Sequence, residues 1–265
     1  MSTRYTHGHD ESVLRGHRAR TAANSAAYLL PHLQPGMAVL DVGSGPGTIT
    51  ADLAELIAPG VVTAVENTAD ALALTAAELA RRGIEAQCAV GDAAALPFPD
   101  NSFDVVHAHQ VLQHLVDPVA ALREFGRVLR LGGVIAVRDA DYAAFSWYPA
   151  IPALDSWLQL YRDAARRNGG EPDAGTRLVA WAHAAGFTDL APSASVWSYG
   201  TPVEREAWGG MWERRIQDSA LAAQLISEGC VLRPDLEAIA DGWRRWTEDP
   251  DAVFHVPHGE LIVRG

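Results

Sequence analysis

Unbroken apolar runs and helical stripes take turns through the first half of the chain. Met37 to Val42 is a short apolar run that leads into glycines, and Val61 to Val65 is a β-branched run. Ala86 to Val90, Phe103 to Ala108 and Val134 to Val137 repeat the type. Runs without polar alternation mark strands covered on both faces. Between them, Thr48 to Ile57 carries Ile49, Leu53, Leu56 and Ile57 at helical spacing and stops at Pro59-Gly60. Ala69 to Arg82 is an Ala- and Leu-rich helix ended by Gly83. Pro118 to Arg130 puts Leu122, Phe125, Val128 and Leu129 on one face, with Gly132-Gly133 as its C-cap. Strands alternating with helices of this length predict an α/β fold of parallel βαβ units.

Past residue 142 the pattern turns mostly helical. It predicts helices over Ala153 to Arg167, Gly175 to Ala185, Val203 to Ile226 and Pro234 to Trp246. Strands are expected over Asp189 to Tyr199 and Val253 to Val263. All 8 Trp lie between Trp147 and Trp246. Three parts follow: a segment 1–36, a core 37–141, and a stretch 142–265 that completes the core and adds a Trp-rich helical cap.

Composition narrows the function. The formal net charge of −12 and the lack of a basic stripe argue against nucleic acid or anionic lipid as partner. All 21 basic residues are Arg. Without Lys there is no Schiff-base lysine and no P-loop lysine. Cys88 and Cys230 lie outside any metal-ligand spacing, and His7, His9 and Asp10 read as polar surface, so no metal is expected. No apolar run reaches the roughly 20 residues that span a bilayer, and residues 1–20 have no apolar core, so a cytoplasmic location is expected. A homodimer stays open.

The most specific stretch is Val39-Leu40-Asp41-Val42-Gly43-Ser44-Gly45-Pro46-Gly47, between the first strand and the first helix. Glycines there permit a tight turn and close approach of backbone to ligand. A dinucleotide fingerprint would need a glycine at 48, where Thr48 stands. The next strand ends in Glu66, whose carboxylate suits a ribose diol, and Asp92 follows the third strand. Ligands of such folds bind at the carboxyl ends of the strands, where all three acids fall.

Asp41 to Gly47, Glu66, Gly91-Asp92-Ala93, Leu96-Pro97-Phe98 and Phe103-Asp104-Val105-Val106, in this order, resemble class I S-adenosylmethionine-dependent methyltransferases. The flavour is that of the UbiE-like group and its natural-product relatives. The resemblance implies a Rossmann-like, doubly wound seven-stranded sheet whose last strand is antiparallel. It implies that Gly43, Ser44, Gly45 and Gly47 line the methionine moiety and that Asp41 reaches its amino group through water. Glu66 would hold the ribose, Asn67 would lie beside the adenine, and Asp92 would bond the adenine amino group, with Gly91 and Ala93 adjacent. In relatives an N-terminal helical segment folds over the cofactor. Tyr5 and Arg18 are the contacts expected here, with Arg18 or Arg20 pairing the methionine carboxylate, unless that segment is simply solvated.

After the fourth strand comes His107-Ala108-His109-Gln110-Val111-Leu112-Gln113-His114. The asparagine-proline motif of amide and adenine methyltransferases is absent. Methyl transfer from a sulfonium needs alignment above all, and an oxygen or carbon acceptor often also needs a base, for which His is suited. If the segment is helical, Gln110 and His114 share a face. His114 is then the leading general base, or merely a helix-capping residue. His109 is a cofactor-side contact and second catalytic candidate, and Gln110 touches cofactor and substrate. Asp141, Trp147, Tyr148, Trp208 and Trp212 are candidates to line the acceptor site, the alternative being that the Trp residues form the cap's own core. The expected function is methyl transfer to oxygen, nitrogen or carbon of a small acceptor. Cyclisation or rearrangement on the same fold, and an NAD-dependent oxidoreductase, are the alternatives.

Overall fold

The structure is a computed structural model and describes residues 19–265. Its core is a mixed sheet of eight strands: β1 (Ala38–Val42), β2 (Val61–Glu66), β3 (Gln87–Val90), β4 (Phe103–His109), β5 (Leu129–Ala140), β6 (Ser146–Tyr148), β7 (Leu190–Tyr199) and β8 (Val253–Arg264). The spatial order is β3-β2-β1-β4-β5-β8-β6, with β7 also on β8. The pairs from β3 to β5 are parallel. Strand β8 runs against β5, β6 and β7. The seven expected strands are present with the last one antiparallel, and β6 is a short addition.

Successive residues of the central strands face opposite layers. Val39, Val62, Val105 and Ala136 pack with Leu29, Leu53 and Ile57. Leu40, Val106 and Ile135 pack with Leu122, Phe125 and Leu178. The helices involved are α1 (Ala22–Ser25) and α2 (Thr48–Ile57) on one face. On the other are α4 (Pro118–Val128) and α6 (Leu178–Ala185), while α3 (Ala69–Arg82) packs on α2 and the strands beside it. Two-sided cover is why the strand sequences are continuous apolar runs. The cap is made by α5 (Pro152–Arg167), α7 (Pro202–Asp218), α8 (Ala220–Ser227) and α9 (Arg233–Glu248) around a separate aromatic core.

Two boundaries differ from the sequence expectation. Helix α4 stops at Val128, and Leu129 turns directly into β5, so Gly132-Gly133 lies inside a long strand rather than capping the helix. Gly132 has φ +79, and the β4–β5 register shifts between Phe103 and Val105, so the glycines absorb an irregularity in pairing. The helix expected over Val203 to Ile226 breaks at Ser219, which is extended and accepts a bond from the Ala222 N–H. A serine with that geometry starts a new helix.

Candidate cofactor and active site

A cavity of ≈ 350 Å³ opens at the carboxyl ends of β1 to β4. Its walls include Asp41, Gly43 to Pro46, Glu66, Asn67, Gly91, Asp92 and Ala93. Arg20, His109, Gln110, Val111, His114 and Leu115 close the other side. The residues expected to hold an adenosyl group therefore share one concavity, with one exception. Gly47 is not in the wall. With φ +81 it caps α2, and a Cβ there would meet the Thr75 backbone at 2.9 Å. Its close packing of α2 on α3 requires a glycine there. Tyr5 and Arg18 lie outside the described residues.

The turn is held by a set of polar bonds. The Gly43 N–H donates to the Val65 carbonyl at 2.8 Å, and the Gly45 N–H donates to Glu66 Oε1 at 2.6 Å. Thr75 Oγ1 donates to the Gly45 carbonyl at 2.7 Å and also meets Ser44 Oγ at 2.8 Å. Asp41 is buried, and both its oxygens have protein partners. Thr50 Oγ1 donates to Oδ2 at 2.5 Å, and His107 Nδ1 meets Oδ1 at 2.7 Å. Asp41 thereby ties β1 to α2 and to β4, where His107 is its register partner. Asp92 is exposed and accepts from the Ala94 N–H at 2.9 Å.

The segment after β4 is not an α-helix. Gln110 adopts φ 55, and only Leu112–His114 forms a 3-10 turn. Asp139 holds this turn from beneath, accepting from the Gln113 N–H at 3.1 Å. Burial pushes the Asp139 carboxyl up to about 8, so it is protonated at neutral pH. Burial, with the Arg215 and Arg20 charges adding, pushes His114 down to about 3. Burial also holds His109 well below its ordinary value, helped by Arg20 and Arg138. Both imidazoles are neutral at pH 7. His109 is buried with neither ring nitrogen bonded among the described residues.

Behind His109 lies a group of residues that sequence reasoning missed. The Trp197 ring packs against His258 at 4.4 Å and His109 at 5.7 Å, with the Arg138 guanidinium over it at 4.7 Å. Trp197 Nε1 donates to the Asn24 carbonyl at 2.8 Å, pinning the chain next to Arg20. The only signal in sequence was a polar or aromatic residue at alternate positions of β7, which does not identify partners. Thr50 and Thr75 had a clearer signal, being polar residues on the apolar faces of α2 and α3.

The acceptor-lining residues expected from the cap are not brought to this cavity. Trp212 is 1% exposed and packs on Trp157 at 4.6 Å, inside the cap. Trp208 stacks on Tyr199 at 4.6 Å and Trp147 on Phe254 at 5.4 Å. Tyr148 is 59% exposed on β6. Asp141 is buried, its N–H donating to the Pro257 carbonyl. Aromatic residues at helical spacing here bury against one another. Of the substrate candidates, Gln110 alone lines the cavity.

Comparison with known proteins gives the family. Residues 40–137 match the family described as methyltransferase domain. An uncharacterized methyltransferase of Schizosaccharomyces pombe is 32% identical over 98% of this chain and 96% of its own. The ubiquinone/menaquinone biosynthesis C-methyltransferase UbiE of Xanthomonas campestris is 37% identical over 48% of this chain and 52% of its own. Among solved structures, the [4+2]-cyclase SpnF shares the fold at a TM-score of 0.56 and 21% identity, covering 96% of this chain and 80% of that one.

Proposed function

This chain belongs to the class I methyltransferase family, and we propose that it transfers a methyl group from S-adenosylmethionine to a small organic acceptor. The observation that carries the reading is the cavity itself, where a glycine turn, Glu66 and Asp92 line one wall and His109, Gln110 and His114 the other. The residues fit the donor. Gly43 cannot carry a Cβ without meeting Val111 Cγ2, so backbone alone borders the cavity there. In this reading Gly43, Ser44 and Gly45 hold the methionine portion, Glu66 the ribose, and Asn67, Asp92 and Ala93 the adenine. Bound there, S-adenosylmethionine supplies an already activated methyl group.

The chain's own work is then alignment and proton removal. Arg20, Val111 and Leu115 also line the cavity, with Val111 against Gly43 of the turn. His114 is the proposed general base. It is neutral, its Nε2 meets the Gln113 amide nitrogen at 3.1 Å, and its depressed basicity limits the gain below that of a base matched to the working pH. The proposed acceptor is a natural product or similar metabolite, and a cytoplasmic setting is part of the reading. Among the described residues, no helix is long and apolar enough to cross a membrane. Cyclisation is the second reading, favoured by the shared fold with SpnF.

Calorimetry with S-adenosylmethionine, S-adenosylhomocysteine and NAD tests the donor. The first two should bind; binding of NAD alone overturns the reading. Incubation of cell extract with methyl-labelled donor then tests the reaction. One product heavier by a methyl group is expected, and an unlabelled, isomerised product would point to cyclisation.

A further inference from the structure

Two guanidinium groups converge where the cavity meets the cap. Arg20 is in the cavity wall, 5.4 Å from the ring centre of Trp197. Arg215 is on α7, 3% exposed, with its guanidinium 4.4 Å from the ring centre of Trp212. Trp212 meets Tyr161 edge-to-face at 5.7 Å, and Tyr161 stacks on Tyr142 at 4.3 Å. Tyr142 follows the carboxyl end of β5, next to the strand ends where the cavity opens. Burial comes first in holding the His114 imidazole neutral, followed by the Arg215 charge and then the Arg20 charge. Burial raises the Tyr142 hydroxyl, and a bond with Tyr161 and then the same two charges oppose it. Arg20 from the core and Arg215 from the cap thus border one space, together with His114 and Tyr142.

Charges in a space closed to water act more strongly than on a wet surface. The acid bonded to this turn, Asp139, is protonated at neutral pH and supplies no counter-charge. Glu260 is engaged by Arg138, Ser193 and Ser195. The space next to His114 therefore favours an anion and disfavours an ammonium. The proton balance agrees. Methylating a protonated amine or a ring carbon requires a proton to leave the reacting atom. Burial holds His109 and His114 neutral and makes both poor bases. An ionised oxygen has no proton to lose during the transfer.

We infer that the acceptor presents an acidic oxygen, as a carboxylate, phenolate or enolate, and that Arg20 and Arg215 stabilise this oxygen in its ionised form beside His114 for methylation. The inference rests on the reading that the cavity binds S-adenosylmethionine and that its methyl group is transferred. A lone pair of the oxygen forms the new bond to the methyl carbon. The carbon–sulfur bond breaks with its electron pair returning to sulfur, so anion and sulfonium both end uncharged. A proton still on the oxygen at arrival goes to His114, from a group whose ionised form the two charges already favour. Arg215 is not in the cavity wall and acts through its charge as a specificity-determining residue.

Fractionated cell extract tests this. The extract is passed over a strong anion exchanger at pH 7, which retains carboxylic acids, or at pH 11, which retains phenols and enols as well. Each fraction is then assayed at neutral pH with the full chain and methyl-labelled donor. Acceptor activity should leave the flow-through and return in the eluate, at pH 7 for a carboxylate and only at pH 11 for a phenol or enol. The labelled product should elute with one negative charge fewer than its precursor, because an anion has become an ester or ether. Acceptor activity in the flow-through at pH 11, or a product of unchanged charge, overturns the inference while leaving methyl transfer intact. Arg215→Gln should raise KM for the eluted acceptor about tenfold with S-adenosylhomocysteine affinity unchanged. Arg215→Lys keeps the charge and should recover most of that loss, which a purely structural role of the guanidinium would not allow. Unchanged KM in Arg215→Gln also overturns the inference; if that variant does not fold, the fractionation decides alone. Absence of labelled product from the unfractionated extract overturns the methyl-transfer reading instead.

Discussion

The nucleotide half and the Trp-rich cap both bury large polar-tipped side chains, and they handle the tips differently. Around the glycine turn the tips meet, although His109 in the opposite wall has neither ring nitrogen bonded among the described residues. Asp41 takes Thr50 and His107, Ser44 and Gly45 share Thr75, and Glu66 takes the Gly45 N–H. In the cap, Trp157, Trp212 and Trp243 are buried with ring centroids 4.6 to 6.3 Å apart, and their indole N–H groups find no partner among the described residues. The cap is held by area and ring packing, which is non-directional apart from edge-to-face preference. The nucleotide half is held by directed bonds that also shape the ligand surface. Stability and binding should therefore be separable in the cap and inseparable in the turn.

The largest effect should come from Trp157→Ala. Removing an indole that touches Trp212, Trp243 and Phe254 should cost about 3–5 kcal/mol in denaturant unfolding. The molecules still folded should bind S-adenosylhomocysteine as before; a parallel loss of affinity would erase the distinction between the regions. Gly47→Ala comes next. A side chain at φ +81 against the Thr75 backbone should destabilise by about 1–3 kcal/mol. Here affinity should fall together with stability, although Gly47 does not line the cavity. Glu66→Gln marks the limit of that coupling, because it removes a charge and keeps the bond to the turn. It should weaken S-adenosylhomocysteine roughly tenfold with little change in melting temperature, because the amide can still accept from Gly45.

His114→Ala should lower turnover by about tenfold, under the range of a well-matched base, with S-adenosylhomocysteine affinity unchanged. Unchanged turnover would leave His114 a structural residue. A further effect concerns Asp139. Its carboxyl is raised to about 8 in the fold, against about 3.9 in an unfolded chain. The folded protein keeps a proton that the unfolded chain has released, so stability falls as pH rises through that interval. The depressed His109, His114 and His258 act oppositely, making stability fall as pH drops, but only below about 6.5. Between pH 6.5 and 8 the melting temperature should therefore decline, and Asp139→Asn should flatten the decline. A slope that survives in Asp139→Asn assigns it to another group.

The two regions also differ in how far they could be read from sequence. The nucleotide half places its site in contiguous stretches, with acids at strand ends and glycines in one turn. Periodicity and spacing therefore located Glu66, Asp92 and the Gly43 turn directly. Where a residue's role depends on a distant partner, reading failed. The packing of Gly47 on Thr75 could not be read, because Thr75 is on another helix. The cap's aromatics had helical spacing, and spacing alone does not tell a core stripe from a lining. His258 and Trp197 reach His109 only through the pairing of β7 with β8 and the register of β8 on β5. Nothing local announces that they sit behind it.

Strand β8 is paired with β5, β6 and β7 at once, so residues 253–264 are the keystone of the sheet. On the ribosome this imposes an order. Strands β1 to β5 emerge first, in sequence, but β5 has no outer neighbour until more than a hundred further residues have been made. At roughly 5–20 residues per second, that is a wait of about ten seconds. During it the exposed β5 edge is a site for pairing with the wrong strand, and a chaperone that covers such edges would act on this nascent chain in that window.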